Sequence, residues 1–158
     1  MNRRIFAILS LAIVAIVCLG TASAFDLGSV FGGGDEATAE TQNVTIGGID
    51  FNIPASFDEN KSLELVNEKM ETAGIEYTVN EKSFFDSKNV VSILVADYSD
   101  YNVDDNVLKL MGGEKTTLGG VDGYLGQTDG FYNFNYQKDG KLITIVSTSD
   151  KIIEDFIA

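Results

Sequence analysis

The sequence predicts an α+β domain, an antiparallel β-sheet packed with about three helices, behind an N-terminal leader and a flexible linker. Three observations carry the prediction. Residues 131–148, FYNFNYQKDGKLITIVST, have the form of a tight hairpin, and residues 90–96, VVSILVA, that of a strand buried on both faces. Three other segments space their apolar residues as helices do.

The hairpin is the most explicit of these. Asp139-Gly140 stands between two alternating runs, and a type I′ turn needs positive φ at both central positions, so the turn fixes the register. Lys138 then faces Lys141, Tyr136 faces Ile143, Phe134 faces Ile145 and Tyr132 faces Ser147. On the other side Asn135 meets Thr144, Asn133 meets Val146 and Phe131 meets Thr148. One face pairs aromatic with β-branched residues; the other is largely amide and hydroxyl. The expectation is a sheet with one buried face. An aromatic row can also form a ligand platform, but alternating spacing reads as core. Phe134→Ala is then expected to cost about 3–5 kcal/mol through the cavity it leaves. Asn135→Ala, on the polar face, is expected to cost well under about 1 kcal/mol.

The other elements follow in order. In VTIGGIDFNIP, Val44 and Ile46, then Ile49, Phe51 and Ile53, alternate around Gly47-Gly48, and Pro54 ends the run: two short strands, or one bent at the glycines. Over residues 62–73, Leu63, Val66, Met70 and Ala73 follow helical spacing, and Gly74 occupies the left-handed position after a helix end. Ile75, Tyr77 and Val79 alternate in a strand that turns near Asn80-Glu81 into a second piece at residues 83–85. After the central VVSILVA strand comes a polar loop. Asp104 fits a helix N-cap, with Val103 and Leu108 as a hydrophobic staple, and that helix stops at Gly112-Gly113. Strands follow at residues 115–118 and 121–127, joined by Gly119-Gly120. After the hairpin, Ser149 or Asp150 caps a last helix carrying Ile152, Ile153, Phe156 and Ile157.

The leader, residues 1–24, has Arg3-Arg4, an apolar run from Ile5 to Leu19 and a small-residue site at Ala22-Ser23-Ala24. Its apolar run is short for a membrane span, which needs about 20 residues. Cleavage after Ala24 is the expectation, giving a secreted, extracytoplasmic chain; left uncleaved, the segment would anchor it to the membrane. Val17 before Cys18 argues against a lipid anchor. Residues 25–42, with Gly32-Gly33-Gly34 and several acids, read as a flexible tether, which leaves residues 43–158 as a single domain.

Losing the leader removes both arginines and the only cysteine. Nine lysines remain against 24 acidic residues, a net charge near −15, with no histidine anywhere. The exported fold stands on its core without disulfides. Its charge argues against nucleic acid as a partner and suits cations, basic partners or a salty exterior. GIDFNIPASF, VVSILVADY, KTTLGGVDGYLGQ, the Lys-Asp-Gly-Lys hairpin and a closing helix, taken in that order, resemble small exported proteins of methanogenic archaea. More distantly, the order is similar to the PsbP/Mog1-like sandwich. That resemblance implies an α+β sandwich acting as a binding or accessory domain, and it transfers no catalytic residue.

Without His or Cys, thiol catalysis, His-based triads and ordinary zinc sites have no residues to work with. The candidate metal site is an acidic loop: Asp97, Asp100, Asn102 and Asp104, with Asp105 beside them, put hard oxygen ligands at alternate positions, as calcium prefers. It opens like an EF-hand loop at Asp100-x-Asn102-x-Asp104, then departs, with Asp105 where glycine turns the loop and Met111 where the bidentate glutamate belongs. A solvated loop ending in an N-cap accounts for the same residues. Asn43-Val44-Thr45 and Asn60-Lys61-Ser62 are sequons, so Asn43 and Asn60 are candidate glycosylation sites. The function expected is a non-catalytic extracytoplasmic domain that binds a protein or cell-surface component. The alternatives are a secreted carboxylate-based hydrolase and a calcium-stabilised surface module.

Overall fold

The structure, a computed structural model, describes residues 41–72 and 74–158. The leader, its cleavage site and nearly all of the tether lie outside the described residues. The elements are β1 (Thr41–Ile46), β2 (Ile49–Pro54), β3 (Asp58–Glu59), β4 (Leu65–Thr72), β5 (Ile75–Phe85), β6 (Val90–Asp97), α1 (Asp105–Leu110), β7 (Glu114–Leu118), β8 (Val121–Thr128), β9 (Phe131–Lys138) and β10 (Lys141–Ser147). A short 3-10 helix, Lys61–Leu63, precedes β4, and another, Asp150–Phe156, follows β10.

The main sheet has eight antiparallel strands, in the order β3-β5-β6-β10-β9-β8-β7, with β4 also paired to β5. Four of the links among the described residues are two-residue turns. Gly47-Gly48, Gly119-Gly120, Asp129-Gly130 and Asp139-Gly140 all hold positive φ at both positions, the twist that a two-residue hairpin demands. The β9–β10 ladder has the register read from the Asp139-Gly140 turn, from Lys138 opposite Lys141 to Tyr132 opposite Ser147. Phe131 and Thr148 fall outside it, and the Thr148 N–H donates instead to the Val90 carbonyl at 3.1 Å.

Both faces of the sheet are buried at its central strands β6 and β10, which corrects the expectation of one buried face. Behind it, β1 and β2 form a two-stranded layer that, with the C-terminal 3-10 helix, covers Val91, Ile93, Val95, Phe134, Tyr136, Ile143 and Ile145. Phe51, Ile53, Phe57, Ile153 and Phe156 fill the space between the layers. In front, the segment from Tyr98 through α1 lays Tyr98, Val103, Val107 and Leu108 over Tyr77, Val79, Leu94, Ala96, Tyr124 and Leu142. Strand β6, buried along six successive residues, is the central strand its composition suggested.

The α+β class with about three helices is overturned. The fold is a mostly antiparallel, β-sandwich-like domain with one α-helix, α1, among the described residues. Residues 65–72 are a strand, although 62–73 has helical spacing. Met70 pairs with Tyr77, Thr72 pairs with Ile75, and Val66 is 63 % exposed instead of facing a core. Gly74, at φ 79°, serves a tight β-turn as readily as a helix end, so it did not distinguish the two. The ladder to β5 decides the outcome, a tertiary contact overriding a weak local preference. At the C-terminus Ser149 does cap, its hydroxyl accepting from the Lys151 N–H at 3.4 Å, but the turns that follow are 3-10 and not α. They bury Ile153 and Phe156. β5 is one unbroken strand of 11 residues, without the turn expected near Asn80-Glu81.

The amide face of the hairpin also needs a new energetic reading. Asn135 is 2 % exposed, accepts from the Thr144 hydroxyl at 2.8 Å and donates to Asn133 Oδ1 at 3.4 Å. Removing it orphans a buried hydroxyl, so Asn135→Ala should cost about 1–3 kcal/mol and not a fraction of one. Phe134, with no exposure, should still cost about 3–5 kcal/mol as Ala. Denaturant melts of the two variants check both. A loss below about 0.5 kcal/mol for Asn135→Ala would mean that water reaches this face.

Candidate functional site

The acidic loop disperses its carboxylates. Asp97 lies 3.5 Å from the Lys141 ammonium. Asp104 is the N-cap of α1, accepting from the Val107 N–H at 3.0 Å, and that bond holds its carboxyl below the usual range. Asp105 turns the other way, to Lys115 at 3.0 Å and the Tyr124 hydroxyl at 3.3 Å. Asp100 and Asn102 are exposed. Among the described residues no group of three or more acidic side chains converges where an ion could be held. Asn60 is engaged as a cap, accepting from the Ser62 N–H and hydroxyl, while Asn43 is exposed in the middle of β1.

A second constellation lies on the front face, under the sheet's cover. The Ser83 and Ser92 hydroxyls meet at 2.6 Å, and Glu81, 5 % exposed, bonds to Ser92. In the sheet Glu81 sits opposite Leu94 on one side and Leu65 on the other. Burial among these leucines pushes its carboxyl up to about 7, against an ordinary 4.5. A carboxyl beside a serine suggests acyl chemistry, but Ser92 is 1 % exposed and Ser83 2 %. Their bonds are directed at each other, as in a satisfied polar layer.

The third is open. The back layer is narrower than the main sheet. β2 is closed on its outer side by a bridge from Phe51 to Ile157 and by the Asn52 amide donating to the Ile157 carbonyl at 3.0 Å. β1 pairs with β2 alone among the described residues and passes above β5 and β6. Between β1 and β4 lies a cleft of about 310 Å³, floored by Asn80 and Lys82 of β5 and walled by the Thr45–Gly48 stretch and by Leu65 and Val66. Gly47 presses on the floor: a Cβ there would come within 3.0 Å of Val95 and 3.2 Å of the Asn80 amide. The Lys141 ammonium donates to the Gly47 carbonyl at 2.7 Å and pins the hairpin tip.

The far wall is a bulge. The β4–β5 register shifts between Leu65 and Glu68, with Asn67 left-handed at φ 52°. The Asn67 N–H is satisfied by Asn80 Oδ1 at 2.9 Å. Lys82 bonds to both Glu59 and Glu64, and the Glu59 bond foremost raises its pKa, so it stays charged. One cation thus faces two carboxylates, Glu64 in the cleft lining and Glu59 beside it, and the three groups together carry one negative charge. Sequence reasoning missed these residues. The signal was the polar alternation Thr78, Asn80, Lys82 opposite Tyr77, Val79 and Glu81, which marks a strand whose back face is left wet.

No family model, curated protein or solved structure matches this chain.

Glu81 makes a pH-dependent contribution whose sign can be worked out. Its folded pKa is raised, so the unfolded chain releases the proton first. The associated stability is whole below about 4.5 and is lost as pH rises through about 7. A shift of that size corresponds to at most about 3 kcal/mol. Denaturant melts from pH 4.5 to 8 should show wild type losing stability more steeply than Glu81→Gln. Parallel curves would mean that the carboxylate is solvated.

Proposed function

We propose that this domain is a non-catalytic binding module working outside the cytoplasm, which holds a protein or cell-surface component. The observation that carries the reading is the open side of β1 above the cleft. A strand edge with no partner among the described residues, beside a concave, polar floor, offers backbone groups together with side-chain pockets. Export is supported by the leader's Arg3-Arg4, apolar run and Ala22-Ser23-Ala24. The engagement of Asp97, Asp104 and Asp105 by other side chains and caps, and the enclosure of Glu81 with Ser92, favour binding over hydrolysis.

The test is a titration of the labelled full chain onto isolated envelopes of the producing cell. Uptake should be saturable and reversible, and the eluted partner should keep its covalent mass. Loss of uptake after protease treatment of the envelopes would assign a protein partner, and survival a non-protein surface component. Uptake that never saturates, or a partner that returns cleaved, would overturn the reading.

A further inference from the structure

We infer that β1 accepts an extended, lysine- or arginine-bearing segment of a partner protein as an added β-strand, laid over the cleft between β1 and β4. This rests on the binding reading above and deepens it.

The backbone assigns the donors and acceptors. A two-residue turn makes its flanking residues a hydrogen-bonded pair, and Ile46 and Ile49 flank Gly47-Gly48. The N–H and C=O groups of Ile46, Val44 and Gln42 therefore face β2. Those of Thr45, Asn43 and Thr41 point away from β2, and of these three Thr45 lines the cleft. The cleft is where a third strand of the back layer would lie, above the polar back face of β5.

The three long edges differ in how they are guarded. Proteins blunt exposed edges with lysines, prolines, bulges or brevity. β4 carries a bulge with left-handed Asn67, and Lys69 besides. β7 has five residues and carries Lys115. β1, reading TQNVTI, is regularly paired over six residues with no charge, no proline and no bulge. It is the edge built to be paired.

Charge selects the occupant. The floor joins Lys82 to both Glu59 and Glu64, and the chain carries a net −13. A cationic strand is attracted; an acidic one is not. The chain's own tether fits poorly, since residues 25–40 contain Asp26, Asp35, Glu36 and Glu40 and no lysine or arginine. A second copy brings the same negative charge.

The test uses the full chain and two synthetic peptides, Ac-KTVTKVTVK-NH2 and its glutamate counterpart Ac-ETVTEVTVE-NH2. Backbone amide exchange followed by NMR should show Asn43 and Thr45 gaining at least about tenfold protection with the lysine peptide. Val44 and Ile46, already bonded to β2, should be unchanged. The glutamate peptide should bind at least about tenfold more weakly. Asn43→Pro removes one outward donor without touching the β2 ladder and should weaken lysine-peptide binding at least about tenfold. Asn43→Ala, which also destroys the sequon, should bind as wild type does. Should Asn43→Pro fail to fold, the alternating protection in wild type still decides. Protection of Asn43 and Thr45 in the free protein would mean that the chain itself or a second copy occupies the edge, and would overturn the inference. So would protection on β4 or β7, equal affinity for both peptides, or a folded Asn43→Pro that binds normally. Envelope uptake that persists in Asn43→Pro would leave the binding module intact and refute only this mode.

Discussion

The constraint on which the structure depends is the burial of β6 and β10 on both faces. Val91, Ile93 and Val95 point back, and Leu94 and Ala96 point forward, all with 1 % exposure or less. Two neighbouring strands of this kind require cover on each side. Because successive side chains alternate, no shift of register could leave either face polar enough for water. The β1–β2 layer and the C-terminal 3-10 helix supply the back cover, and the segment from Tyr98 through α1 supplies the front. The chain has no cysteine after Cys18, so this two-sided core is what holds the described domain together.

Local turn chemistry was the most legible part of the sequence. Asp139-Gly140 specified a register that the ladder reproduces from Lys138 opposite Lys141 to Tyr132 opposite Ser147, because positive φ at two successive positions admits few alternatives. Asp104 was legible as a cap for the same kind of reason: its carboxylate bonds an N–H three residues on. The segment at 62–73 was not legible. Leu63, Val66 and Met70 fit a helix as well as they fit chance, and what made the segment a strand is its ladder to residues 75–81, which no local pattern records. The amide face of the hairpin misled in another way. Asn133, Asn135 and Thr144 look like a solvated face, yet they satisfy one another under cover.

The site was legible in its parts but not in its assembly. Gly47-Gly48 announced two short strands or one bent strand, whereas the alternation of Thr78, Asn80 and Lys82 was passed over for a turn near Asn80-Glu81. That the hairpin lies across β5 and β6, stops short of β4 and so leaves a cleft follows only from how wide the back layer is. The acidic residues were legible as residues and misleading as a cluster. Nearness in sequence put Asp97, Asp104 and Asp105 together, whereas Lys141, the α1 N–H groups and Lys115 draw them apart.

Two features of the back layer bear on one another. A two-stranded ribbon is at best marginal alone, and here it is held by Phe51 and Ile53 beneath, by Ile157 at one side and by Lys141 at its tip. None of these supports lies on the outer side of β1, which has no strand partner among the described residues. The main sheet, with eight strands, is wide enough to carry a third strand in the back layer, and its β5 surface there is already polar. A guarded edge would need a charge or a bulge in β1, as β4 has. Thr41, Gln42, Asn43 and Thr45 supply neither, and their uncharged side chains permit close approach of a second backbone. The same width mismatch that leaves Lys82 and its two glutamates partly exposed leaves the outer side of β1 without a strand partner among the described residues.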